Sequence, residues 1–247
     1  MKKVLYLAVC LVIVLLCTSA LAWDCPNCDR RNIITDVCPR CGTMSDSGQS
    51  LGYDTGWRPG EHVYFGTFPQ SGTGSSATPI EWIILEIDGS EALLVSQYAL
   101  DRQPFHVNNA KVNWKSCSLR SWLNSTFINS AFSYIEQSAI IPTDVADIGE
   151  YDYVFIPSQA EAELLGATFQ RMCPATEYAK RRGVFVNNND LFNGKACCWW
   201  WLRPSGKASM DIPGVSSRGT MPNVRKVTND SAGVRPAIWV DLNSGCF

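Results

Sequence analysis

Four cysteines near the start of the chain have the spacing of a metal site. Cys25, Cys28, Cys38 and Cys41 form two C-x2-C pairs separated by nine residues. Each CPxC turn can direct two thiolates at one point, and two such turns complete a tetrahedral four-thiolate site for zinc. Few aliphatic residues lie between the pairs, so metal binding would supply most of the folding free energy. The sequence therefore predicts a structural zinc ribbon over residues 23–43.

Residues 1–22 have the pattern of a secretory signal peptide. Lys2 and Lys3 are followed by an apolar stretch from Val4 to Cys17, and small residues occupy the two key places of Ala20-Leu21-Ala22. We expect cleavage before Trp23 and a secreted protein or one on the extracellular surface. The apolar stretch barely reaches the length that spans a bilayer, so membrane attachment is expected only if the leader stays uncleaved.

Export leaves the chemistry of the first four mature cysteines open. Oxidising compartments favour disulfides, so two disulfides or free thiols are the alternative to zinc. A thiolate site outside the cell is easiest to reconcile with an anaerobic setting or with metal loading before oxidation. The other mature cysteines are odd in number and irregular in spacing, which is not typical of a disulfide framework: Cys117, Cys173, Cys197, Cys198 and Cys246. We predict that adjacent Cys197 and Cys198 are ordinary buried residues on a strand.

Charge and composition exclude one class of partner. The chain has 21 basic and 23 acidic residues, a net charge of −2, and no long basic run. Nucleic-acid binding depends on basic surfaces that neutralise phosphates, so no nucleic-acid partner is expected. Nine tryptophans indicate either a large aromatic core or an aromatic ligand surface. Composition does not distinguish these two.

Residues 44–60 are rich in Gly, Ser, Asp and Thr and are predicted to be a linker to a main domain at 61–247. That domain opens with a predicted strand at His62–Phe68. A hairpin follows, with strands at Ile80–Ile87 and Ala92–Tyr98 and a turn at Asp88-Gly89. The two strands of this hairpin are the clearest structural prediction in the chain.

Helices are predicted in the middle of the domain and strands towards its end. The predicted helices are Ser118–Asn124 with Ser118 as its cap, Phe132–Ala139, one opened by Ser158 in a capping box with Glu161, and Ala175–Arg182 stopped by Gly183. The predicted strands are Tyr153–Ile156, Cys197–Arg203 and Val234–Leu242. Early strands, middle helices and late strands predict an α+β fold with short helices and antiparallel strands.

Five strings of residues carry a family resemblance: YFGTFPQ, IEWIILEIDGSEALLVSQYALD, WKSCSLRSWLNSTFINSAFS, CCWWWLRPSG and AGVRPAIWVDL. In this order they resemble the bacterial domain of unknown function 6273 family, over about Glu61 to Leu242. Members of that family look like exported proteins of Gram-positive anaerobes, some with a short zinc ribbon after the signal peptide. The resemblance implies no activity.

A weaker resemblance concerns the fold. The strand with WWLR, the polar hairpins and the closing VRPAIW strand resemble the C-terminal half of the C-type lectin fold, which formylglycine-generating enzymes and bacterial surface variable proteins share. The resemblance implies a C-type-lectin-like domain whose late hairpins, here Pro204 to Ser231, form a binding face. Fold alone does not fix function.

Candidate ligand-binding residues follow from this resemblance and from the aromatic strand. Alternation along a strand directs Trp199 and Trp201 to one face, where they either build the core or present flat apolar surfaces and Arg203 to a sugar or peptide. Arg203 and Arg235 each precede a proline, which favours a structural role with carbonyls or a carboxylate. The hairpin candidates are Arg218, Arg225, Asn229 and Asp230. Asn229 and Asp230 also fit a simple turn, and no calcium site is predicted.

Catalysis has little support in the sequence. His62 and His106 lie in no known motif, a Cys117–His106 nucleophile pair is generic, and no phosphate loop, paired-carboxylate motif or HExxH occurs. The sequence therefore favours an exported non-catalytic binding protein for a glycan, peptide or protein. An exported enzyme of unknown chemistry on the same fold, or a cell-surface scaffold, is the alternative.

Overall fold

The computed structural model describes residues 56–73, 76–146 and 149–247. Gly56–Phe247 form one compact unit, which is the subject of this description. The predicted signal peptide, the zinc-ribbon cysteines Cys25, Cys28, Cys38 and Cys41, and most of the predicted linker lie outside the described residues.

The described unit is a mixed α+β fold in which short helices separate early strands from late ones, as predicted. Its strands are β1 (His62–Pro69), β2 (Ala77–Asp88), β3 (Glu91–Ser96), β4 (Asp101–Arg102), β5 (Cys173–Pro174), β6 (Val186–Phe192), β7 (Lys195–Cys198), β8 (Trp200–Trp201), β9 (Asp211–Val215), β10 (Asn223–Lys226), β11 (Gly233–Val234) and β12 (Ala237–Asp241). Its helices are α1 (Ser118–Trp122), a π-helical turn (Leu123–Phe127), α2 (Ile128–Ala131), α3 (Tyr134–Ala139), α4 (Gln159–Glu163), a 3-10 turn (Thr168–Arg171) and α5 (Glu177–Arg182).

The strands form three sheets, ordered β1-β2-β3-β12, β10-β9-β8-β11-β4 and β5-β7-β6. Between named strands the pairing is antiparallel, except for the parallel pair β8 and β11. The predicted hairpin is confirmed: Asp88 pairs with Glu91 across a turn in which Gly89 adopts a positive φ of 63°. Both faces of β3 are buried, since the consecutive residues Leu93 and Leu94 point to opposite faces and are 1% and 0% exposed.

Local capping signals determine where several helices begin. Ser133 and Ser158 each close a capping box with a glutamate three residues later, as predicted at Ser158. Thr176 caps α5, and Gly183 ends it in the left-handed region. The prediction that Ser118 caps α1 is wrong. Cys117 occupies the cap position, and its sulfur accepts a hydrogen bond from the Arg120 N–H.

Two predicted late strands are each divided between sheets. The predicted strand Cys197–Arg203 splits at Trp199, so that β7 joins the third sheet and β8 the second. The predicted strand Val234–Leu242 splits at Arg235-Pro236, because proline has no N–H to donate to a ladder. β11 therefore belongs to the second sheet, and β12 closes the first by pairing with β3.

The predicted strand Tyr153–Ile156 is reduced to a single bridge between Phe155 and Ala237. The side chain of Asn124 explains the change, because its Oδ1 accepts from the backbone N–H groups of Tyr153 and Val154 at 2.8 and 3.1 Å. A side chain thus satisfies donors that a neighbouring strand would otherwise pair.

Candidate functional site

The three consecutive tryptophans of β7–β8 belong to the core. Trp199, Trp200 and Trp201 are 4%, 0% and 0% exposed. Their indole N–H groups donate to Asn223 Oδ1, to the Arg171 carbonyl and to the Gln103 carbonyl at 2.8, 3.1 and 3.0 Å. Each buried donor is satisfied inside the protein, so these rings stabilise the fold and do not present a surface for a ligand.

The β9–β10 hairpin covers Trp199. A Cβ at Gly214 would overlap the Trp199 ring, so glycine is required at this close approach. Trp201 meets the same ring edge-on, with ring centroids 4.7 Å apart. The guanidinium of Arg225 lies over the Trp199 ring, 4.9 Å from its centroid. The guanidinium of Arg225 therefore packs directly on the face of the Trp199 ring.

Arg225 is a half-buried cation whose partners are all neutral within the described residues. Its Nη1 donates to Ser231 Oγ at 3.0 Å and to Asn229 Oδ1 at 3.4 Å. Burial lowers the pKa of Arg225 from its usual value. The cation–π contact with Trp199 offsets part of the cost of desolvating this charge, but no carboxylate in the described part of the chain forms an ion pair with it.

Asp230 lies on the same loop as Asn229 and is exposed. Its carboxylate forms an ion pair with Arg102, whose Nε also donates to the Asp230 carbonyl. Beside Arg102, the buried Asp101 pairs with Arg182 at 3.1 Å. Burial raises the pKa of Asp101, against the effects of the Arg102 N–H and Arg182. We call Arg225, Asn229, Asp230 and Arg102 the hairpin face.

Arg218 stands apart from the hairpin face, at the tip of the β9–β10 hairpin. Its Nε donates to Asp190 Oδ1 on β6 at 3.1 Å, and Ser217 Oγ donates to the other carboxylate oxygen at 2.6 Å. The Ser217 hydroxyl and then Arg218 hold the pKa of Asp190 below its usual value. Arg171 also donates to the Gly219 carbonyl at 3.1 Å, so the tip is fixed by several contacts.

Arg203 is also separate, and its role is the structural one that the Arg-Pro pattern favours. It is 7% exposed and donates to the Ile156 carbonyl at 2.8 Å and to Glu161 Oε1 at 2.9 Å. Arg235 is 1% exposed and donates from Nε to the Ser96 carbonyl at 2.7 Å. The structure thus brings Arg225, Asn229 and Asp230 together, whereas Trp199, Trp201, Arg203 and Arg218 serve packing or ion pairs.

Arg203 also lines a cleft of about 560 Å³. The other residues that line it include Asn113, Trp114, Lys115, Asp144 and Ser158. A charge network adjoins it, in which Glu150 binds both Lys115 and Arg120 at 2.7 and 2.6 Å. Sequence reasoning missed this cleft, because Trp114 and its hydrogen-bond partner Asp152 are far apart in the chain and no motif joins them.

Asp152 is the buried centre of that network. It accepts from Trp114 Nε1 at 2.7 Å and from Arg120 Nε at 2.6 Å. Burial raises the pKa of Asp152, although both donors act to lower it. Burial also acts to lower the pKa of Arg120, but hydrogen bonds to Glu150 and Asp152 outweigh it and the pKa is raised. The network holds the segment around Glu150 against α1.

The generic Cys117–His106 nucleophile pair has no geometric support. Burial raises the pKa of Cys117 to about 12, so this residue is a thiol at neutral pH, and its Sγ donates to the Trp114 carbonyl at 3.3 Å. His106 Nδ1 instead accepts from the Ser118 N–H at 3.2 Å. Nucleophilic cysteines need a lowered pKa and access, and Cys117 has neither.

Within residues 56–73, 76–146 and 149–247, no group of three or more His, Cys, Asp or Glu side chains could hold a metal ion. The predicted zinc ligands lie outside this part of the chain. In the same part, no helix has the length and apolar character needed to cross a membrane.

Comparison with known proteins gives one match. Residues 89–242 match the family DUF6273, described as a domain of unknown function. The matched range contains β3 to β12, and therefore the three consecutive tryptophans, the hairpin face and the cleft. No curated protein and no solved structure matches the chain.

Proposed function

The chain belongs to the DUF6273 family, whose description assigns no activity, and from the geometry above we propose that it is an exported non-catalytic binding protein. Its ligand is a glycan, peptide or protein that contacts the hairpin face. Trp199 and Trp201 support this face from below and do not touch the ligand.

One observation carries the proposal: Arg225 is a partly desolvated guanidinium without an acidic partner among the described residues. Asn229 and Ser231 engage Nη1 alone, and neutral oxygens do not compensate a full charge. A ligand carboxylate could accept hydrogen bonds from the guanidinium as a charge-assisted pair. The ligand class that fits best therefore carries an acidic group, as in an acidic sugar or a peptide with a free carboxylate.

The proposed architecture of the whole chain has three parts. A signal peptide directs export, a zinc ribbon at residues 23–43 follows, and a C-type-lectin-like domain presents the hairpin face. The pattern of residues 1–22 and the double C-x2-C spacing support the first two parts. The mixed α+β unit with mostly antiparallel sheets is compatible with the third.

A glycan and peptide array probed with the protein that lacks the leader tests this function. We expect bound species to share an acidic group, and we expect Arg225→Gln to weaken their binding at least tenfold in a titration, because one charge-assisted pair is lost. Lys207→Gln is the matched control, since it removes one exposed positive charge from the same late segment. Circular dichroism verifies that both variants are folded.

Two results would contradict the assignment of the face. Binding that survives Arg225→Gln unchanged would remove Arg225 from the site. Binding that is lost in Lys115→Gln but retained in Arg225→Gln would move the site to the 560 Å³ cleft, where the alternative of an exported enzyme would gain support.

A further inference from the structure

Two cysteines face each other across the small third sheet. Cys173 on β5 pairs directly with Cys198 on β7, whereas the neighbouring Cys197 pairs with Pro174. All three cysteines are 0% exposed, and all are thiols in this structure. Sequence spacing does not reveal the pair, because the third sheet forms only when β5 and β7 meet.

The register gives this pair the geometry of a disulfide. Directly opposed residues of an antiparallel pair have Cα atoms about 4.5 or 5.5 Å apart and side chains on the same face. Both separations lie within the range of about 4.4–6.8 Å that a disulfide bridges. Cys197 does not share this relationship, because successive side chains of a strand point to opposite faces.

The two thiols already interact. Burial acts to raise the pKa of Cys173, but a hydrogen bond from Cys198 and the positive charge of Arg235 outweigh it, so the pKa lies below its usual value. The same hydrogen bond, followed by burial, raises the pKa of Cys198 well above its usual value.

Arg235 gives the pair an unusual neighbour. Its guanidinium is buried over the Trp200 ring, with 5.0 Å between Cζ and the ring centroid. Its Nη1 is a buried side-chain atom without a hydrogen-bond partner among the described residues. A buried cation with no ion-pair partner among the described residues favours negative charge nearby, and so favours the thiolate form of Cys173 over the thiol. Thiolates are the nucleophiles of disulfide formation.

We propose that Cys173 and Cys198 form a disulfide bond between β5 and β7 when the chain folds in the presence of a disulfide-bearing oxidant, such as oxidised glutathione or a thiol–disulfide oxidoreductase. The Cys173 thiolate attacks the oxidant's disulfide and releases one thiol. Cys198 then loses its proton and attacks the Cys173 sulfur, releasing the second thiol. Two protein thiols are oxidised and one oxidant disulfide is reduced. Both sulfurs are buried once the chain has folded, so the oxidant reacts with Cys173 while β5 is still exposed, and Cys198 completes the exchange as β7 pairs with β5.

Oxidative refolding followed by peptide mapping tests the proposal. The full-length protein is reduced, unfolded and refolded with oxidised and reduced glutathione, and free thiols are alkylated before digestion. We expect one cross-linked peptide pair that contains Cys173 and Cys198, with Cys117 and Cys197 alkylated. Cys197→Ala is the matched control and should keep the cross-link, whereas Cys198→Ala should lose it. Refolding under reductant should give no cross-link.

Thermal unfolding provides a second readout. Oxidised wild type should unfold about 5–10 °C above the reduced protein, and Cys173→Ala/Cys198→Ala should show no such difference. If refolding fails, the same mapping is applied to protein isolated from the periplasm of an expression host. Folded protein from either source in which Cys173 and Cys198 are both alkylated, or in which Cys173 is linked to Cys197, overturns the proposal.

Discussion

Arg218 donates from Nε to Oδ1 of Asp190 across 3.1 Å, and this ion pair joins the tip of the β9–β10 hairpin to β6. Asp190 is buried, with 8% of its surface exposed, whereas the Arg218 side chain is 75% exposed. The sequence alone makes Arg218 a candidate ligand contact. In the structure, its charge is already engaged by Asp190, so substituting it should disturb the hairpin tip.

Asp190 should make stability depend on pH. Because the pKa of Asp190 is lowered on folding, its contribution is present above the unfolded pKa, about 3.9, and is lost as pH falls through the lower folded pKa. We expect Asp190→Asn to lower the Tm at pH 7, and the gap from wild type to close as the pH falls through the folded pKa. Asp211→Asn, which breaks an exposed pair with Lys226, should change the Tm little at either pH. A gap independent of pH would contradict this account.

Gly219 should be intolerant of any side chain. It has a positive φ of 78°, and an added Cβ would overlap the carbonyl oxygen of Thr168. Gly219→Ala is expected to cost about 2–4 kcal/mol of unfolding free energy, from backbone strain and overpacking together. Gly206→Ala isolates the strain, because Gly206 has a φ of 83° with nothing within 4 Å of the added Cβ, and should cost about 1 kcal/mol. Equal costs in urea unfolding would refute the overlap.

Trp201 and Trp239 should differ in their contribution to stability. Trp201 is 0% exposed and contacts Phe105 at 5.7 Å between ring centroids, so Trp201→Ala should cost about 3–5 kcal/mol. Trp239 on β12 is only half-buried, and Trp239→Ala should cost about 1–3 kcal/mol. Chemical denaturation measures both. A larger loss at Trp239 would mean that its environment is more enclosed than its exposure indicates.

The cysteine pairs at the start of the chain should bind one zinc ion. Protein purified under reducing conditions is expected to contain about one equivalent of zinc, and Cys25→Ser/Cys28→Ser should abolish it, because two of four thiolates are lost. Cys246→Ser is the control and should retain the metal. Peptide mapping that finds Cys25–Cys28 and Cys38–Cys41 disulfides in metal-free native protein would replace the zinc site with the disulfide alternative.

Features that depend on neighbouring residues were predictable from the sequence. The hairpin around Gly89 and the helix begun by Ser158 rest on turn and capping chemistry within a few positions. Predictions that needed distant partners were less complete. The division of the predicted strand at Trp199 depends on the β9–β10 hairpin that covers this ring, and nothing local to the strand encodes that contact.

The candidate site shows the same distinction. Alternation along the strand correctly placed Trp199 and Trp201 on one side, but it could not show that this side is interior. The hairpin candidates Arg225, Asn229 and Asp230 do converge, and Arg102 joins them from β4, more than a hundred positions earlier in the chain. No motif connects Arg102 with Asp230, so only the folded chain reveals this partner.

The division of the last strand has a consequence for synthesis. β11 completes the second sheet beside β4, and β12 completes the first beside β3, so one short terminal stretch finishes both. A ribosome-bound chain that lacks this stretch holds two sheets with unfilled edges, and long-range pairing of this kind is slow to form. Both sheets can therefore be completed only once this stretch has been synthesised.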